Sequence, residues 1–316
     1  MTVIFGINLS DRVILTADSR VSYVNEKTGE IVVKHDNMQK IEPLDGLKGC
    51  VIASAGDARF AQFIIKAIQK DFKNADIDDL REKIEEWAKK QADEYFQKYY
   101  SMANFIIAGV SKKNKIISRQ KFFELLGAYA DGKPVMGSVK SVLSDAVKES
   151  KDIDADIQLS AKSTDMFSLR INRSGVSIED AGWGDILISG PEGVSKEDID
   201  DADVGRFEFS YDSRMNIEND SVLATAITSH LIESKGLDSV GGSIVPMIVL
   251  HDNKLATMPT KVYSSDFNGS NGRFVNAYML ENNRLYRVEE NGVKHRMFKV
   301  SEIKFKDLNN DQMSSI

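Results

Sequence analysis

The chain has 316 residues, 42% hydrophobic and 28% charged, with a formal net charge of -7. This is globular material, long enough for one large or two moderate domains, and its acidic excess speaks against a general phosphate-backbone binder, which needs clustered Lys and Arg. The single cysteine, Cys50, excludes an intrachain disulfide and fits a reducing compartment. No basic-then-apolar leader is visible, and the apolar run at 244–250 falls far short of the roughly 20 residues of a membrane span. The expectation is a cytoplasmic protein without membrane or nucleic-acid partners.

Residues 2–9 and 12–17 are rich in β-branched and aromatic side chains around the turn pair Ser10-Asp11, which predicts a hairpin. A two-residue loop sets Leu9 opposite Arg12, Val3 opposite Asp18 and Thr2 opposite Ser19, bringing a carboxylate beside the chain start. Once Met1 is removed, Thr2 carries a hydroxyl and a free α-amine on one skeleton, a nucleophile and its base from a single residue.

A charged excursion runs to His35. Residues 39–41 and 49–53 then predict two further strands, with Pro43 and Asp45-Gly46 turning between them. After Ser54-Ala55-Gly56, the spacing of Phe60, Phe63, Ile64, Ala67 and Ile68 predicts a helix capped by Asp57. Backbone N–H groups around Gly56 would point out of that strand-to-helix turn, where an anion can be held. A second helix starts near Asp76, with Leu80, Ile84, Trp87, Ala88, Ala92, Tyr95 and Phe96 as its apolar stripe and a solvated charged face opposite.

Residues 104–110 predict a buried strand. The pattern changes from about 119 to 163, an expected insertion with a helix at 135–148. Strands resume at 167–172, 176–179 and 185–188, with Ser174-Gly175 as a turn, before an acidic stretch at 191–216. A helix from Asn219 carries Leu223, Ile227 and Leu231 on one face and ends before Gly236; His230, beside that stripe, is expected in the core. The loop Asp238-Ser239-Val240-Gly241-Gly242 leads into a strand over 243–250. Strand-like runs follow at 273–280, 284–289 and 293–300, with Asn291-Gly292 a strong hairpin signal and a polar tail from Asp307. This order predicts an α+β protein: two antiparallel sheets stacked face to face with helices outside. His35, His230, His251 and His295 lie in separate segments without ligand partners at helical spacing, so no metal or cofactor is expected.

Taken together, Thr2-Val3, Ala17-Asp18-Ser19-Arg20-Val21-Ser22, Lys40-Ile41 and Ser54-Ala55-Gly56 resemble the proteasome β-subunit and HslV-type peptidases, which are threonine-type N-terminal nucleophile hydrolases. Ser189-Gly190 and Asp238 to Gly242 before an apolar strand resemble that family's downstream signature. The resemblance covers about 2–118 and 165–252. It implies a four-layer αββα sandwich over 2–252, interrupted by the 119–163 insertion and followed by a β-hairpin extension and tail at 253–316. It also implies roles. Thr2 would be the nucleophile, Lys40 a cation favouring its alkoxide, and Asp18 the partner holding Lys40 charged. The Gly56 N–H would form the oxyanion hole, and Ser189 and Asp238 would orient the α-amine. Ser22, with Arg20, would border an extended peptide substrate. The family commonly has Ser where Gly241 stands.

The implied activity is hydrolysis of peptide bonds through an acyl-enzyme on Thr2, in a homo-oligomer that an unfoldase ATPase could feed. Two other readings stay open on the residues: a non-catalytic scaffold or binding subunit with Met1 retained, and an amidase acting on a small metabolite.

Overall fold

The computed structural model describes residues 2–9, 12–24, 28, 31–96, 102–112, 115–117, 157–159, 163–182, 185–191, 194–199, 214–237, 240–250, 252, 254–257, 263–264, 273–274, 277–281, 284–289 and 291–303. The first two strands, β1 (Ile4–Asn8) and β2 (Arg12–Asp18), form the expected hairpin, with Ile4 opposite Ala17 and Asn8 opposite Val13. The ends of the ladder keep that register: the Leu9 N–H donates to the Arg12 carbonyl at 2.8 Å and the Asp18 N–H to the Val3 carbonyl at 3.4 Å. Both strands are buried throughout. Alternate side chains explain this, because they enter two different cores: Ile4, Val13 and Leu15 one, Phe5, Ile7 and Ile14 the other.

Next come β3 (Val21–Val24), β4 (Ile31–His35), β5 (Met38–Gln39), β6 (Ile41–Pro43) and β7 (Val51–Gly56). The charged excursion therefore contains a hairpin of its own, β3 with β4, which has a register shift between Val21 and Ser22. The expected strand at 39–41 is split at Lys40, which belongs to neither β5 nor β6. Helix α1 (Ala58–Asp71) is capped by Asp57, whose carboxylate accepts the Arg59 and Phe60 N–H groups. Helix α2 (Ile77–Phe96) starts after Asp76, which accepts the Asp79 N–H at 3.0 Å.

Strand β8 (Ala103–Ser111) is followed by β9 (Lys115–Ile117) and β10 (Ile157–Leu159), an antiparallel pair across the expected insertion. The insertion's expected helix at 135–148 lies outside the described residues. Strands β11 (Ser163–Asn172), β12 (Gly175–Ala181) and β13 (Ile186–Ser189) precede α3 (Arg214–Ser234). That helix begins before Asn219, the residue type that suggested its start; Arg214, Met215 and Glu218 are good helix formers, and nothing before Asn219 stops it. His230 is exposed on α3, not in the core; the buried stripe runs through Ala224, Ile227 and Leu231.

The remaining strands are β14 (Ile244–Leu250), β15 (Leu255–Ala256), β16 (Tyr263–Ser264), β17 (Arg273–Phe274), β18 (Ala277–Glu281), β19 (Arg284–Val288), β20 (Lys294–Arg296) and β21 (Phe298–Lys299). Asn291-Gly292 does turn between β19 and β20, with Gly292 at φ +83°. The tail from Asp307 lies outside the described residues.

Two five-stranded antiparallel sheets organise the molecule, in the orders β13-β1-β2-β14-β15 and β12-β11-β8-β7-β6. One core joins them: Ile4, Leu15 and Met247 of the first share it with Val51, Ile106 and Met166 of the second. The approach is tight at Gly6, where a Cβ would lie 2.7 Å from Met166 Sδ and 2.9 Å from Leu15 Cδ2. A second core binds α1 and α2 to the β7-β8-β11 sheet through Phe60, Ile64, Leu80, Ile84, Phe105 and Phe167. A third binds α3 to the β1-β2-β14 sheet. The chain is an α+β protein. β21 pairs in parallel with β5, unlike the strands of the two large sheets.

Candidate active site

Thr2 lies just before β1 and Asp18 ends β2, so the hairpin register alone makes them neighbours. Asp18 faces the chain start directly: its Oδ1 accepts the Val3 N–H at 3.0 Å. Lys40 arrives from the other sheet. Its ammonium donates to Thr2 Oγ1 at 2.8 Å and to Asp18 Oδ2 at 2.8 Å. The three residues are 7, 5 and 0% exposed for Thr2, Lys40 and Asp18, so little water competes for these bonds. Asp18 Oδ2 also accepts the Arg20 N–H at 3.2 Å and the Gly241 N–H at 3.4 Å.

Burial drives the Lys40 ammonium's pKa below its usual value. The Asp18 charge and hydrogen bond oppose that, with a smaller contribution from Asp36. A protonated Lys40 in this place would favour the alkoxide of the neighbouring hydroxyl over the neutral alcohol. The Lys40 carbonyl accepts the Ser54 N–H at 2.9 Å, which ties the lysine to β7 two residues before Gly56.

Gly56 ends β7 with φ +103°, in the region where L side chains are strained. A Cβ there would sit 2.5 Å from the Met102 carbonyl oxygen, so glycine is required by both conformation and space. Asp57, its neighbour, donates its N–H to that same carbonyl at 2.9 Å.

The other expected site residues are arranged differently. Ser189 is buried on β13 opposite Ile4, and its hydroxyl has no hydrogen-bond partner among the described residues. Asp238 lies outside the described residues. Ser22 lies on β3, opposite Val33 of β4. Arg20 is partly exposed and directs its guanidinium to Asp36, at 3.0 and 3.3 Å; that hydrogen bond raises its pKa.

Sequence reasoning missed the backbone donors around Asp18. Gly241, noted as a glycine where serine is common, has φ +144°, and a Cβ would meet Arg20 Nη1 at 3.0 Å. The position contributes its N–H to Asp18 in place of a side chain. Ser19 was also missed as a joint: its hydroxyl accepts the Ser243 N–H at 2.9 Å and its carbonyl the Met38 N–H at 3.1 Å. The signal available was its place between Asp18 and Arg20, two residues already singled out.

Among the described residues no group of His, Cys, Asp or Glu is arranged to hold a metal ion, and no helix is long and apolar enough to cross a membrane. Two stacked antiparallel sheets with helices packed on both, and Thr2, Asp18 and Lys40 meeting at one end of the β1-β2 hairpin, define the class of α+β protein to which the chain is compared. The chain matches the model of the proteasome subunit family over residues 2–160, half its length, and it belongs to that family. No curated protein matches it.

Proposed function

We propose that this protein is a threonine-type peptidase that hydrolyses peptide bonds through an acyl-enzyme on Thr2 after removal of Met1. The observation that carries the reading is the Lys40 ammonium, buried and 2.8 Å from both Thr2 Oγ1 and Asp18 Oδ2. A free α-amine titrates at roughly 7.7–8.0, so roughly a tenth to a sixth of it is neutral at about pH 7 and able to accept a proton, and more above that pH. The ammonium of Lys40 disfavours a second positive charge nearby and pushes the amine toward its neutral form.

In the proposed cycle the Thr2 hydroxyl attacks the scissile carbonyl and its proton passes to the α-amine. The oxyanion of the tetrahedral intermediate takes the Gly56 N–H, an interaction whose loss can raise the barrier by about 3 kcal/mol. The C–N bond then breaks, the α-amine returns the proton to the leaving nitrogen, and the Thr2 ester remains. Water, deprotonated by the same amine, hydrolyses the ester and restores the hydroxyl. Ser189 and Asp238 orient the amine in this reading. Ser22 and Arg20 border the peptide.

The reading extends to a four-layer αββα domain over 2–252, which the three cores support, with the 253–316 extension attached to it. It also extends to a cytoplasmic homo-oligomer, an assembly that light scattering would measure, and to an unfoldase ATPase as its feeder.

The test is Thr2→Ala in the full chain. Turnover of unfolded polypeptide should vanish while circular dichroism and melting stay close to wild type, and an epoxyketone should modify Thr2 of the wild type alone. Wild-type turnover in the alanine variant would end the proposal. Intact mass adds a check, since retained Met1 blocks the amine and supports a scaffold role. A panel of small amides against polypeptide separates a metabolite amidase from a peptidase.

A further inference from the structure

Lys40 sits at a joint. On its C-terminal side, β6 is held by β7, with Ile41 opposite Ala53 and Pro43 opposite Val51. On its N-terminal side, β5 leaves that sheet and pairs with β21, Phe298 opposite Met38 and Lys299 opposite Gln39. The Phe298 N–H donates to the Asn37 carbonyl at 3.0 Å. Besides this pair, β5 is tied by the Met38 N–H on the Ser19 carbonyl at 3.1 Å. A two-residue parallel ladder is weak by itself, so its placement depends on what fixes β21.

Three polar ties and one apolar contact do so. The Glu42 carboxylate is fully buried and accepts the Ser301 N–H at 3.1 Å and, through its other oxygen, the Ser301 hydroxyl. Gln62 of α1 donates to the carbonyls of Val300 at 2.9 Å and Ile303 at 2.7 Å. Lys299 reaches Asp45 in the turn between β6 and β7 at 3.3 Å, and Val300 enters the core of Met38, Phe60 and Ile64. The residues 298–303 thus join the strands flanking Lys40 to the helix that follows Gly56.

We infer that Ser301 and Glu42 are positioning residues for the Lys40 ammonium, closing a brace by which the C-terminal segment keeps the lysine in line with Thr2 and Gly56. Neither touches the reacting atoms; both act through β5 and β6. The inference rests on the catalytic reading of Lys40.

The test uses the full chain carrying Ser301→Ala, Glu42→Ala, both together, and Ser301→Thr. Amide hydrogen exchange at Met38 and Phe298 reads the brace without reference to activity. Both amides should exchange roughly tenfold faster in Ser301→Ala, since local opening follows the lost tie. Epoxyketone modification of Thr2 and peptide turnover read its consequence. In Ser301→Ala, kcat should fall roughly tenfold with KM little changed, as a small misplacement of a catalytic group predicts, and the alkaline limb of the pH profile should move. Ser301→Thr, which keeps the hydroxyl, should restore both. The double variant should lose no more than the worse single, because one tie is removed twice.

Wild-type exchange at Met38 in Ser301→Ala overturns the brace, as does a double variant whose losses simply add. Faster exchange with unchanged labelling and turnover overturns the positioning role. Should Ser301→Ala fail to fold, Glu42→Ala carries the same measurements. A wild type that exchanges slowly at Met38 yet never labels on Thr2 refutes the peptidase reading and with it the positioning role, while the brace as a structural tie stands.

Discussion

Burial works against the charged form of Lys40, and Asp18 is the counterweight. Removing the charge at Asp18 while keeping its shape leaves the ammonium buried with less support. Asp18→Asn should therefore move the alkaline limb of the activity profile to lower pH, because Lys40 gives up its proton more readily. At pH 8, kcat/KM should fall roughly tenfold or more. A pH profile of the variant superimposable on wild type would remove Lys40 from the proposed chemistry. Counting residues along the first hairpin was enough to set Asp18 beside the chain start, since period-two pairing across a two-residue loop leaves one register. Lys40 was legible only through resemblance, because 22 residues separate it from Asp18 and no local rule brings it back. Gly241 was not legible as a partner of Asp18, since what it contributes is backbone.

At the scale of elements, Gly56 joins a strand to a helix in a conformation that any side chain resists. Gly56→Ala places a Cβ 2.5 Å from the Met102 oxygen at φ +103°. The variant should lose roughly 1–3 kcal/mol of stability, and turnover should fall further than stability accounts for, because the turn carrying the proposed oxyanion donor must shift. Denaturant unfolding and kcat under folded conditions separate the two. On the far face of the first sheet, Arg12 and Asp220 form a buried pair joining β2 to α3. Arg12→Ala removes one partner of this buried ion pair and should cost about 3–5 kcal/mol, measured by the urea midpoint; a loss under about 1 kcal/mol would mean that the site admits water.

The helices were legible from apolar spacing, since Phe60, Ile64 and Ile68 or Leu80, Ile84 and Ala88 each repeat along one face. The hairpin of β3 and β4 was not, because the charged and glycine-containing residues between its strands mask a short apolar pattern. The break at Lys40 was invisible for a different reason: β5 departs from its sheet to meet a strand some 260 residues downstream, a choice local propensity does not encode.

For the whole molecule, the tie between Glu42 and Ser301 gives a stability measurement that reports on both ends of the chain. Burial pushes the Glu42 carboxyl up to about 7 from an ordinary value of 4.5. Hydrogen bonds from Ser301 and the charge of Lys299 pull it down, and Asp45 adds to the rise. A group whose pKa is raised on folding holds more protons folded than unfolded. Its contribution is therefore complete below about 4.5, declines as pH rises, and is gone above about 7, with a span of roughly 3 kcal/mol. Other carboxylates, such as Asp76 beside Lys112, are shifted downward and slope the opposite way, so the total curve does not isolate Glu42. The difference between wild type and Glu42→Gln does, since the amide keeps an acceptor for the Ser301 N–H and does not titrate. Relative to wild type, the variant should gain stability steadily from pH 4.5 to 7 and hold that gain above it. A difference that stays flat across this window would mean that water reaches Glu42, and that the C-terminal segment does not seal against β6.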